Sequence, residues 1–126
     1  MSSPTDAKFT QTHEWFRASG STVTLGITKF AVNELTDVTY VQMKPVGTKV
    51  SAGQTVGEVE SVKATSDIYS AIAGEIVEIN TALTDDPSLV NTDPYGKGWL
   101  CKLKVADAAP LNTLMDATTY DAKYPA

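Results

Sequence analysis

Apolar and polar residues alternate cleanly in Thr22-Val23-Thr24-Leu25-Gly26-Ile27, with Val23, Leu25 and Ile27 on one side. That period of two is the mark of a half-buried strand. The stretch from Phe9 to Arg17 predicts another strand with Trp15 packed inward. Residues 15–17 and 22–27 then form a hairpin across Ala18-Ser19-Gly20-Ser21. Thr28 is placed to N-cap a short helix, Lys29 to Leu35, that buries Phe30 and Leu35. Val38-Thr39-Tyr40-Val41-Gln42-Met43 returns to strand, and Pro45-Val46-Gly47 and Gly53-Gln54 read as turns.

Beyond Asn80 the texture changes. Asp86 as a cap and Pro87 at the first helical position predict one helical turn. Residues 91–98 are a loop by composition. Trp99, Cys101, Leu103 and Val105 then share one face of a last strand, opposite Lys102 and Lys104. Asp107 is placed to cap a terminal helix carrying Leu111, Leu114 and Met115, and a second short helix is expected around Asp116–Lys123. Residues 1–8 are small and polar and are expected to fray.

Seven to nine short strands separated by Gly turns predict a mainly β fold, a flattened sandwich or barrel of antiparallel sheets with short helices, two of them C-terminal. The chain reads as one domain, residues 1–126, with its core over about 9–120. Val46-Gly47-Thr48-Lys49-Val50 and Ala73-Gly74-Glu75-Ile76-Val77 form a faint repeat, as if two like halves were hinged between them.

Composition narrows the function classes. At 42% hydrophobic and 20% charged the chain is globular rather than disordered. Its net charge of −5 argues against nucleic acid and anionic membranes as partners, because both require a basic face. One cysteine, Cys101, rules out an internal disulfide, and with the single histidine, His13, it excludes a His/Cys metal site. Cys101 falls on the inward face of a strand, where a thiol is inert. Gly96-Lys97-Gly98 lacks the Gly-Lys-Ser/Thr ending of a phosphate loop, and Asp85, Asp86 and Asp93 do not fit calcium-loop spacing. No apolar run approaches a membrane span, and the first residues show no targeting signal, which points to a cytoplasmic protein.

What remains is Glu60-Ser61-Val62-Lys63-Ala64, with extended arms on both sides. Lys63 stands ten residues from Gly53 and eleven from Gly74, so the near-equal arms put it at a hairpin tip with its ammonium in solvent. Tight turns favour Asn-Gly, Asp-Gly or Gly-X, none of which is present, and Val62 is a poor residue for an exposed turn. Two readings stay open on these residues alone. Either Lys63 is an ordinary surface lysine, or it is one lysine among nine presented to a modifying enzyme.

The segment Gly53…Glu60-Ser61-Val62-Lys63-Ala64…Ile68-Tyr69-Ser70…Gly74-Glu75-Ile76-Val77 resembles the attachment region of lipoyl and biotinyl carrier domains, which fold as a barrel-sandwich hybrid. Val62-Lys63-Ala64 differs from the Met-Lys-Met usual in biotinyl domains and from the Asp-Lys-Ala usual in lipoyl domains of 2-oxo acid dehydrogenase complexes. Together with Thr12-His13-Glu14-Trp15, Leu25-Gly26-Ile27-Thr28, Asn91-Thr92-Asp93-Pro94-Tyr95-Gly96 and Gly98-Trp99-Leu100, the segment resembles the H-protein family of the glycine cleavage system, from about Phe9 to Tyr120.

The resemblance implies a carrier rather than an enzyme, with lipoic acid in amide linkage on Lys63. It implies that Glu60, Ser61, Val62 and Ala64 are read by a lipoate ligase or lipoyl transferase. It also implies three partners: a pyridoxal-phosphate glycine decarboxylase, a tetrahydrofolate-dependent aminomethyltransferase and a flavin-containing dihydrolipoyl dehydrogenase. An aminomethyl group would pass along this series on the arm, in the bacterial cytoplasm or, in a eukaryote, the mitochondrial matrix. A lipoyl donor for other complexes, a biotinyl carrier and an unmodified partner-binding domain are the alternatives. An arm carrying a primary amine needs shelter and a carboxylate, and Glu14 and Asp67 are the candidates for holding it.

Overall fold

The computed structural model describes residues 3–125. Two antiparallel sheets enclose the main core. The larger has six strands in the order β1 (Lys8–Phe9), β2 (Glu14–Ser19), β3 (Thr22–Ile27), β9 (Cys101–Lys104), β8 (Gly74–Ile79) and β5 (Lys49–Val50). The smaller has three, in the order β4 (Val38–Met43), β6 (Thr55–Ser61) and β7 (Thr65–Tyr69). Inward residues of both, among them Leu25, Leu103 and Ile76 from one and Val56, Val59 and Ile68 from the other, meet in a single buried cluster. This is the mainly β sandwich of antiparallel sheets expected from the alternation, in the barrel-sandwich form that the resemblance implied. The two arms of the faint repeat pair with each other, Lys49 against Glu75 and Val50 against Gly74.

Helix α1 (Lys29–Leu35) lies where the sequence predicts it, and the Thr28 hydroxyl accepts from the Ala31 amide as its cap. Its buried residues are Val32 and Leu35, whereas Phe30 is half-buried and packs at a tilt on His13 with ring centroids 4.5 Å apart. The predicted 9–17 strand is two strands. Residues 10–13 turn between β1 and β2, closed by the His13 amide on the Thr10 carbonyl at 3.0 Å, with His13 at φ 73°.

Asp86 and Pro87 do not open a helix. Asp86 is the C-cap of α2 (Ala82–Asp85), and the next helix, α3 (Leu89–Thr92), starts after Ser88. The Asp107 carboxylate does cap, accepting from the Ala109 amide at 2.9 Å, but the element it opens is a 3-10 turn, Ala109–Thr113. Helix α4 (Ala117–Lys123) closes the chain, N-capped by Asp116.

Part of the 1–8 segment is anchored rather than frayed. Ser3 and Ala7 are buried, and the Ser3 hydroxyl donates to Asp121 of α4 at 2.6 Å. Met1 and Ser2 lie outside the described residues. This strap, Trp15 and α4 form a second, aromatic core with Phe9 and Tyr120 stacked at 4.9 Å. That second core braces α1 from outside the sandwich.

Candidate functional site

The β6–β7 hairpin carries Lys63 at its end, and the turn is made without any residue at positive φ. Ser61 supplies the chemistry that Gly or Asn would otherwise provide. Its hydroxyl oxygen accepts from the Lys63 amide at 3.1 Å and the Ala64 amide at 3.0 Å, while the Ser61 amide donates to the Ala64 carbonyl at 2.8 Å. A hydroxyl turn of this kind needs no left-handed residue. The Val62 amide donates outward to the Asp37 carbonyl at 3.1 Å, which ties the tip to the loop after α1. Val62 itself is 69% exposed. Among the described residues the Lys63 ammonium makes one hydrogen bond, to the Glu34 carbonyl at 3.4 Å, and no carboxylate lies within ion-pair distance of it.

Beside the tip a groove of about 410 Å³ runs between α1 and β7. Phe30, Glu34 and Leu35 of the helix face Ser66 and Ile68 of the strand, and Thr12 and His13 close the far end. The His13 ring is held there by Tyr120, whose hydroxyl is 2.7 Å from Nδ1 and 2.7 Å from the Thr28 hydroxyl. Burial lowers the His13 pKa, and nearby Glu34 partly offsets that.

Glu14 adjoins the same end through Thr12. The carboxylate is buried, and one oxygen accepts from the hydroxyls of Thr10 at 2.7 Å and Thr12 at 2.5 Å. Its other oxygen accepts from the Tyr69 amide at 3.3 Å. Loss of hydration pushes the Glu14 pKa up, opposed by those three donors. Glu14 also lines a larger cavity of about 580 Å³ with Tyr69, Met115 and Lys123.

The two carboxylates proposed to hold an arm are not brought together. Alternation along β7 turns Ser66 and Ile68 to the groove and Asp67 to the outer face, where it is exposed directly opposite Glu58. Glu60 and Ser61 are half-buried, and Val62 and Ala64 exposed, around the lysine. Sequence reasoning missed Glu34 at the groove. Its spacing of four from Phe30 was the available signal, since both then share one helix face. Cys101 is buried and its pKa is pushed up to about 12 by desolvation, so it contributes no nucleophile at neutral pH.

The scattered motifs converge on α1 and its loops. Trp15 Nε1 donates to the Pro94 carbonyl at 2.9 Å, and the Lys29 amide donates to the Tyr95 hydroxyl at 3.0 Å. Asn91 binds the loop after α1, with its Oδ1 accepting from the Val38 amide at 2.9 Å. Residues distant in sequence therefore hold the wall against which the tip rests.

Known proteins match this chain over nearly its whole length. A model of the family described as Glycine cleavage H-protein matches residues 7–125. The glycine cleavage system H protein of Thermus thermophilus is 51% identical over 120 residues, covering 95% of this chain and 94% of the relative. That of Acinetobacter baumannii is 46% identical over 122 residues, covering 97% and 98%. The crystal structure of a glycine cleavage system H protein from Mycobacterium marinum superposes with a TM-score of 0.83 at 42% identity, over 96% of this chain and 98% of that one. With likeness of this extent in both sequence and backbone, the chain belongs to the glycine cleavage H-protein family.

Proposed function

We propose that this chain is the lipoyl carrier of the glycine cleavage system, with Lys63 as its attachment residue. One observation carries the reading: Lys63 is exposed on a hydroxyl-closed turn, its ammonium making one 3.4 Å hydrogen bond among the described residues, so the amine is open to acylation while its backbone is held. When bound, lipoate supplies a dithiolane that alternates between disulfide and dithiol and can carry a one-carbon amine unit between enzymes. Acylation removes the lysine charge, and the remaining amide N–H keeps one donor for the Glu34 carbonyl.

The chain's own residues supply presentation and shelter. Glu60, Ser61, Val62 and Ala64 give a lipoate ligase or lipoyl transferase a rigid surface to recognise. Phe30, Leu35 and Ile68 give the groove an apolar wall that excludes water. Glu14 with Thr10 and Thr12 offers a polar end suited to an amine. Asp67 faces away from this groove and is left out of the docking proposal. The partners on this reading are the decarboxylase, the aminomethyltransferase and dihydrolipoyl dehydrogenase. The compartment is theirs: cytoplasm in a bacterium, mitochondrial matrix in a eukaryote. No helix of the described residues is long and apolar enough to cross a membrane.

Intact mass after incubation with lipoate, ATP and a lipoate–protein ligase tests the assignment. One lipoyl group on the wild type and none on Lys63→Arg is the expected result. Modification of Lys63→Arg, or biotin in place of lipoate after growth with both, overturns it. Glycine cleavage in a reconstituted mixture should stop with Lys63→Arg.

A further inference from the structure

Asn91 lies in α3, remote in sequence from Lys63, yet its side-chain amide straddles the loop between α1 and β4. Nδ2 donates to the Thr36 carbonyl at 2.6 Å, and Oδ1 accepts from the Val38 amide at 2.9 Å. The peptide joining Asp37 to Val38 is planar and trans, so its N–H and C=O point in opposite directions. Fixing the Val38 N–H on Asn91 therefore aims the Asp37 carbonyl the other way. That carbonyl is the acceptor for the Val62 amide at 3.1 Å, one residue before Lys63.

We propose that Asn91 is a positioning residue for the modified lysine: through the Asp37–Val38 peptide it sets where the hairpin tip stands against α1. The role requires an acceptor toward Val38 and a donor toward Thr36, a pair that asparagine supplies from one rigid group. Thr36 needs the donor in particular. It sits at φ 62° and ψ −134°, which a β-branched residue avoids, and the Asn91 bond helps hold it there. The consequence for function rests on the Lys63 reading, whereas the structural coupling does not.

Amide hydrogen exchange at Val62, read by NMR on the unmodified full chain, tests the coupling without any lipoylation. Asn91→Ala should speed that exchange about tenfold, the loss of one ordinary hydrogen bond, while the β2–β3 amides keep their protection. Asn91→Asp keeps the acceptor toward Val38 but sets a carboxylate oxygen against the Thr36 carbonyl, so it should lose part of the Val62 protection and fall between the wild type and Asn91→Ala. The rate of lipoylation by a lipoate–protein ligase should fall in the same order, wild type, Asn91→Asp, Asn91→Ala. Unchanged Val62 exchange in Asn91→Ala, or equal exchange in the two variants, overturns the proposal. Modification persisting in Lys63→Arg would instead overturn the attachment reading and leave the exchange result standing.

Discussion

Trp15 and Gly26 are opposite each other across β2 and β3, and the indole occupies the space that a side chain at 26 would take. A Cβ on Gly26 would stand 2.7 Å from Trp15 Nε1. The indole is fully buried and donates to the Pro94 carbonyl, so it has little room to yield. Gly26→Ala should therefore destabilise the protein by about 1–3 kcal/mol, the usual cost of overpacking a filled core. Thermal unfolding followed by tryptophan fluorescence checks this, and a midpoint equal to that of the wild type would show that the indole can move aside.

Thr36→Gly should stabilise the fold. The wild-type residue sits at φ 62°, strain of about 1–3 kcal/mol for a non-glycine residue, while glycine's extra freedom in the unfolded chain costs about 0.5–1 kcal/mol. The net is a gain of about 1 kcal/mol, read as a higher urea midpoint with an unchanged slope. A lower midpoint would mean that the Thr36 hydroxyl bond to the Leu35 carbonyl matters more than the strain.

Glu14 should make stability fall as pH rises. Burial raises its pKa above the ordinary value of 4.5, so between 4.5 and the folded value the native state binds more protons than the unfolded state. The slope of unfolding free energy against pH is then negative across that window. Glu14→Gln removes the titration. It also adds a pH-independent offset, because a side-chain NH₂ meets the Tyr69 amide. Urea unfolding at a series of pH values should show the wild type losing stability relative to Glu14→Gln from pH 4.5 upward. Parallel curves would contradict the shift.

Val62→Asp should slow lipoylation and leave the fold intact. The side chain is 69% exposed, so its replacement costs the core nothing, and its amide bond to Asp37 is retained. A new carboxylate beside Lys63 changes the surface that a ligase meets. Initial rates of lipoylation together with circular dichroism check both halves. A wild-type rate would remove Val62 from the recognition surface.

Where contacts are local, the chain order already determined the outcome. Alternation placed β3, Thr28 capped α1, and near-equal arms put Lys63 at a tip, because each depends on neighbours within one element. The attachment motif was likewise contiguous. Tertiary structure decided what depends on residues remote in sequence. Phe30 packs toward His13 because the turn at 10–13 folds back over α1, and no helical periodicity encodes that turn. Which face of β7 lines the groove was decided by the packing of α1 over Ser66 and Ile68, which leaves Asp67 on the other face, away from the groove. Asn91 looked like a loop residue by composition. Its link to the lysine exists only once α3 is packed beside the α1–β4 loop and one planar peptide carries the direction across.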